Sequence, residues 1–287
     1  MLLYKQITSL NKTQLKKMLH TFLKEDVPTQ DHTTQAVILK NEKGQYIVRS
    51  REQMVFCGAP IIENAFSNKI QIKQLIKDGE HIPKNTEIAQ IEGSVIEILK
   101  KERLVLNMIQ RLSGISSNTA RYVSKLQNSN IKILDTRKTT PGLRLLEKYA
   151  VNKGGGYNHR LDLSSGVMVK DNHIAHNIDD VVIKLKKLKK KIPIQVEIDT
   201  VDQITKTNVN IVDAFLLDNL PPQKIEKCIK KINTLKAHNQ NIFIEVSGGI
   251  NLNNISKYSI KGVNGISIGA LTHQSTSVDI GLDQKNQ

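Results

Sequence analysis

The run IKILDTRKTTPGLRLLEKYAVNKGGGYNHRLDLSSGVMVKDNH, residues 131–173, carries the pattern that decides the fold. It opens with a short apolar segment, IKIL, that ends in the polar residues DTRK (135–138). A helix-compatible stretch, LRLLEKYAV (143–151), and a glycine turn, GGG (154–156), follow. A second apolar segment, GVMV (166–169), again ends in polar residues, KDNH (170–173). Strand, helix and strand in that order read as a unit of a parallel sheet.

Downstream the pattern repeats. Strand-like runs recur at IPIQVEID (192–199), VDAFLLDN (212–219), NIFIEVSGG (241–249) and NGISIGA (264–270). Between them lie IDDVVIKLKKLKKK (178–191), VDQITKT (201–207), PQKIEKCIKKINTL (222–235) and NLNNISKYSI (251–260), all compatible with helix. An open sheet and a closed barrel both fit such alternation. The barrel is favoured because Arg137, Lys138, Lys170, Glu197, Asp218 and Ser247 all fall at the C-terminal ends of their runs. A β/α barrel gathers its active site at that face from several strands, whereas an open sheet concentrates it at one switch point.

Upstream, residues 8–25 have the spacing of an amphipathic helix, and VPTQDHTT (27–34) is rich in turn formers. AVILK (36–40), QYIVRS (45–50), MVFCG (54–58) and EIAQIEG (87–93) read as strands, so an α+β sandwich is expected here. From 94 to 129 apolar residues recur every three or four positions, which predicts helix with a break near Ser113 and Gly114.

Composition narrows the function. The 287 residues are 39% hydrophobic, enough for one large or two modest cores. The longest apolar runs, such as IVDAFLL (211–217), are too short to cross a bilayer, and MLLYKQITSLNKTQ lacks the order of a signal peptide. A cytoplasmic protein without membrane partners is expected. Cys57 and Cys228 stand alone and read as buried thiols. The net charge of +15 suits nucleic acid, an anionic membrane or a polyanionic small molecule. Much of the lysine, however, lies in KLKKLKKKI (184–192), where Val182, Leu185 and Leu188 make an apolar stripe and the lysines face water. Aromatics are 4%, which argues against stacking on single strands and against a nucleic-acid partner.

The strand ends imply a chemistry. Arg137, Lys138 and Lys170, with His159 and Arg160, form a cationic group suited to carboxylate and phosphate together. Two carboxylates in that setting, Glu197 and Asp218, are best explained by Mg²⁺ held with a phosphate or pyrophosphate. Ser247-Gly248-Gly249 and Ile268-Gly269-Ala270 are successive glycine-bearing loops at the last two strands, a frequent phosphate site in barrels. Taken singly, Arg103 and Arg111 read as solvated helix residues, and His159, His173, His176 and His273 as structural histidines. Asp135 is expected to orient its loop rather than to touch substrate.

The run DTRKTTPGLRLLEKYAVNKGGGYNHRLDL (135–163), followed by VKDNHI (169–174), closely resembles the quinolinate phosphoribosyltransferases. ERLVLNMIQRLSGISS (102–117), VEID (196–199), LLDN (216–219), EVSGGI (245–250) and SIGALTH (267–273) follow the family's order, and LKEDVPTQDHTT (23–34) matches weakly. The resemblance implies an N-terminal α/β sandwich domain, 1–112, and an incomplete β/α barrel, 113–271, with the tail 272–287 packing back on the first domain. It implies a homodimer with shared active sites, or a higher assembly, acting on quinolinate and phosphoribosyl pyrophosphate with Mg²⁺. The products would be nicotinate mononucleotide, pyrophosphate and CO₂, in NAD biosynthesis. A sister pyrophosphorylase acting on another acceptor is the alternative.

Carried over by residue, Arg137, His159, Arg160 and Lys170 would surround the pyridine dicarboxylate, with Thr136 and Lys138 lining the site. Lys138, Glu197 and Asp218 would be catalytic, the two acids facing the ribose hydroxyls and the Mg²⁺-pyrophosphate. Ser247, Gly248, Gly249, Ile268, Gly269 and Ala270 would hold the 5-phosphate, and Arg103 would reach into the partner's site. Two departures stand out. The turn at 27–34 differs from the family's glycine-rich form, and Gln195 stands where an acid is expected.

Overall fold

The computed structural model describes residues 3–126, 130–174, 177–187 and 192–285. His176 and Leu188 lie outside these residues. The chain forms two compact units, one of Met1–Gln6, Arg121–Leu145 and Gly156–Gln274, the other of Ile7–Ala120, Leu146–Gly155 and Ser275–Gln287.

The second unit contains helices α1 (Lys12–Asp26), α2 (His32–Val37) and α3 (Ala59–Ala65). It also holds strands β1 (Lys43–Ser50), β2 (Met54–Val55), β3 (Gln71–Lys73), β4 (His81–Ile82) and β5 (Glu87–Ser94), and most of α4 (Val95–Lys125). Asn11 starts α1 by accepting the amide of Gln14, and Leu15 and Leu19 form its buried stripe. The final strand, β12 (Ile280–Gln284), pairs with β1 and completes an antiparallel sheet of order β12-β1-β5-β3.

Two expectations fail here. AVILK is not a strand: Asp31 accepts the amide of Thr34 and caps α2, which runs to Val37, and Val37 and Leu39 are exposed. Nor is there a break at Ser113-Gly114, because α4 is continuous over 31 residues. The small residues serve close packing instead. Ser113 exchanges hydrogen bonds with the backbone of Cys57, and a Cβ on Gly114 would lie 2.0 Å from the carbonyl oxygen of Thr276. The compact units divide at 120/121 and take 146–155 with the sandwich.

The first unit is built on strands β6 (Lys132–Leu134), β7 (Val167–Val169), β8 (Ile194–Ile198), β9 (Ala214–Asp218), β10 (Phe243–Ser247) and β11 (Gly265–Ser267). Helix α5 (Arg144–Lys153) follows β6, and α6 (Ile178–Lys186), α7 (Lys206–Val209), α8 (Pro222–Leu235) and α9 (Ala270–His273) follow later strands. All six strands are parallel, in the order β6-β11-β10-β9-β8-β7. Neighbours follow sequence order from β7 to β11, and β6 then pairs with β11. A doubly wound sheet reverses direction at a switch point; this one does not, which is the connectivity of a barrel. A single bridge places Tyr157 beside Leu134, and among the described residues no ladder joins Tyr157 to β7, so the ring is incomplete. β9 and β10 are buried along their length except at their last residues, Asp218 and Ser247. Strands buried on both faces read as continuous apolar runs, and their first half-exposed position is the strand end. No described helix is long and apolar enough to cross a membrane.

Candidate active site

A cavity of about 710 Å³ opens at the C-terminal ends of these strands. Thr136, Arg137, Lys138, His159, Arg160, Lys170, Glu197, Asp218, Ser247, Gly248, Gly249, Ile268, Gly269 and Ala270 all line it. Arg103 does not; it is exposed on α4, with its guanidinium 4.0 Å from Glu102.

Part of the cavity lining is cationic. The Nε of Arg137 is buried without a hydrogen-bond partner. Arg160 is buried, and one of its terminal nitrogens donates to the carbonyl of Gly166 at 2.9 Å. Burial, and then the charge of Arg137, lowers the pKa of Arg160 from its ordinary value. Two guanidiniums that disfavour one another, one with an unused buried donor, define a place for an anion. Behind them Asp135, fully buried, accepts the amide of His159 at 2.8 Å and the side-chain amide of Asn158 at 2.7 Å. It orients the loop, as its position suggested.

The lining also carries acids. Lys170 Nζ lies 2.5 Å from Glu197 Oε2. Asp218 accepts hydrogen bonds from Ser247 Oγ and, at 2.7 Å, from Asn219 Nδ2. Carboxylate oxygens of Glu197, Asp199 and Asp218 lie within 4.8 Å of one another. Such an all-oxygen set suits a hard divalent cation. Gly248 and Gly249 both have positive φ, +92° and +62°. A Cβ on Gly248 would lie 2.2 Å from Asn219 Oδ1, so the loop can pass there only without a side chain.

Two models describing quinolinate phosphoribosyl transferase, one of its N-terminal and one of its C-terminal domain, match residues 31–113 and 115–283. The chain belongs to that family. A Bacillus subtilis relative, named a probable nicotinate-nucleotide pyrophosphorylase (carboxylating), is 42% identical over 281 residues, covering 96% of this chain and 94% of that one. The solved structure of the nicotinate-nucleotide pyrophosphorylase from Francisella tularensis superposes with a TM-score of 0.89 at 34% identity, covering 98% and 99% of the two chains. Its counterpart from Ehrlichia chaffeensis gives 0.86 at 38%, covering 94% and 98%.

Family membership makes the residues that sequence reasoning passed over more informative. Asp199 joins the acidic set, although only its proximity to Glu197 in the chain hinted at that. His273 lines the cavity beside Gly269, where a Cβ would lie 3.1 Å from its ring. Glu245 also lines it, and it is buried in the middle of β10, where a lone acid in an apolar run was the available signal. Arg111 is not solvated: it donates twice to Glu147 Oε1, at 3.2 and 2.9 Å.

Proposed function

We propose that this chain transfers the phosphoribosyl group of phosphoribosyl pyrophosphate to quinolinate, with decarboxylation, to give nicotinate mononucleotide, pyrophosphate and CO₂. The observation that carries the reading is a single cavity lined both by the arginine pair Arg137 and Arg160 and by the acids Glu197 and Asp218. The arginines, with Lys138 and Lys170, bind the two carboxylates of the pyridine ring. The backbone at Ser247–Gly249 and Ile268–Ala270 takes the 5-phosphate.

The pyridine nitrogen attacks the anomeric carbon as the bond to pyrophosphate breaks, and positive charge develops on the ribose. Glu197 and Asp218 face that charge and hold the ribose hydroxyls, while Lys138 stabilises the departing oxygens. Mg²⁺, which the oxygen set of Glu197, Asp199 and Asp218 fits, would neutralise charge on the pyrophosphate. The pyridinium formed by N-glycosylation accepts the electron pair left by the departing 2-carboxylate, and a proton then replaces CO₂ at that carbon. The arginines therefore hold the ring without pinning the carboxylate that leaves.

The active form is a cytoplasmic homodimer in which Arg103 completes the partner's site. Mixing inactive Arg103→Ala with inactive Lys138→Ala protein restores part of the activity on this reading, and absence of rescue sinks it. The reaction itself is tested by supplying quinolinate, phosphoribosyl pyrophosphate and Mg²⁺ to the purified protein. Equal amounts of CO₂, pyrophosphate and nicotinate mononucleotide are expected; no turnover with quinolinate overturns the assignment.

A further inference from the structure

His159 lines the cavity, yet both its ring nitrogens are engaged inside the protein. Nδ1 accepts the backbone amide of Arg160 at 2.8 Å, and Nε2 lies 3.1 Å from Gln195 Oε1 and 3.4 Å from Glu245 Oε1. The orientation of Gln195 follows from its other partners. Its Nε2 lies 2.8 Å from Glu245 Oε2, and a carboxylate only accepts. Its Oε1 must then face the phenol of Tyr4, which donates at 3.0 Å, as well as His159. Burial, and then the nearby charge of Glu245, raises the pKa of Tyr4, so the phenol keeps its proton. The His159 ring is thereby fixed from both sides, with the proton on Nε2 and the lone pair on Nδ1.

Tyr4 also reaches the second anchor of Arg160. Its ring packs on His159 with centroids 4.7 Å apart. It also fills the space over Gly166, where a Cβ would lie 2.6 Å from Tyr4 Cε1. Gly166 supplies the carbonyl that the Arg160 guanidinium grips. The amide of Arg160 is thus held through His159 and its guanidinium through Gly166, with Tyr4 against both.

We propose that Tyr4 and Gln195 are positioning residues that aim Arg160 at the pyridine dicarboxylate, with His159 as their intermediary rather than a donor to substrate. The proposal rests on the reading of the cavity as a dicarboxylate site. Two measurements test it. Histidine-labelled protein, with His159 assigned through His159→Gln, should show the ¹⁵N signature of a bare Nδ1 and a protonated Nε2. Tyr4→Phe should raise KM for quinolinate about threefold to tenfold, the worth of one hydrogen bond. KM for phosphoribosyl pyrophosphate and kcat should stay within about twofold. Gln195→Leu should do the same more strongly and shift the ¹⁵N resonance of Nε2, whereas Gln195→Glu, which keeps the acceptor, should retain the bare-Nδ1 signature. The proposal is overturned if Tyr4→Phe and Gln195→Leu lower thermal stability but leave the spectrum and the quinolinate KM at wild-type values. A wild-type spectrum with protonated Nδ1 overturns it whatever the turnover. Absence of quinolinate turnover in wild type defeats the reading of the site, and the substrate-free spectrum still decides the network.

Discussion

Arg111 and Arg137 are both partly buried arginines, and they do opposite things. In the sandwich unit, Arg111 holds Glu147, which is fully buried, and its NH1 donates to the carbonyl of Ser275 at 2.6 Å. In the barrel unit, Arg137 has a buried nitrogen with no partner and a second guanidinium, that of Arg160, as its electrostatic neighbour. The first arrangement is complete without a ligand. In the proposed function an anion completes the second. Burial alone therefore does not separate a structural arginine from a binding one; the charge of its neighbours does.

That contrast can be broken by mutation. Arg111→Ala removes a charged partner of the buried Glu147 and should cost about 3–5 kcal/mol of stability, read by denaturant unfolding, with kcat little changed in the folded fraction. Arg137→Ala should do the reverse. It should lower kcat/KM for quinolinate about a hundredfold, the loss of paired charge-assisted hydrogen bonds, while thermal stability stays level or rises. A large stability loss there would erase the distinction. Gly248→Ala combines positive φ with a clash at Asn219 and should cost about 1–3 kcal/mol. Its kinetic effect should appear in KM for phosphoribosyl pyrophosphate rather than for quinolinate.

The smallest effect belongs to a surface pair that sharpens the other end of the scale. Glu97 bonds Lys101 at 2.7 Å one helical turn away. Partial burial raises its pKa, but hydrogen bonds from Lys101 and Ser67 outweigh that and leave it below the ordinary value. A depressed carboxylate stabilises the fold above its unfolded pKa and loses that contribution as pH falls through the folded one. Glu97→Gln should therefore cost well under about 1 kcal/mol at neutral pH, with the difference from wild type vanishing in acid.

Much of the site was legible because the apolar runs close on polar residues, and β9 and β10 emerge from burial only at those ends. Glu197 near the end of β8, Asp218 and Ser247 at the ends of β9 and β10, and Lys170 just past β7 could be read one run at a time. What escaped depends on partners remote in sequence. Arg111 and Glu147 are 36 positions apart, and nothing in α4 alone announces the pair. Tyr4 meets Gln195 across 191 positions. AVILK was misleading for a local reason: β-branched residues predict a strand, but the cap at Asp31 commits the chain to helix first. At Gly114 a glycine inside a helical pattern was read as a break, although it marks the close approach of Thr276.

The flank of the barrel beside Asn158 has a consequence for solubility. A sheet edge with free backbone groups is a template for another chain. Here one glutamine side chain blocks it. Gln6 accepts the Asn158 amide through Oε1 at 2.7 Å and donates to the Asn158 carbonyl through Nε2 at 3.1 Å. It thereby mimics the neighbouring strand that the ring lacks. The first few residues thus cover a sheet edge and also carry Tyr4, so trimming them would open that edge and release the His159 network together.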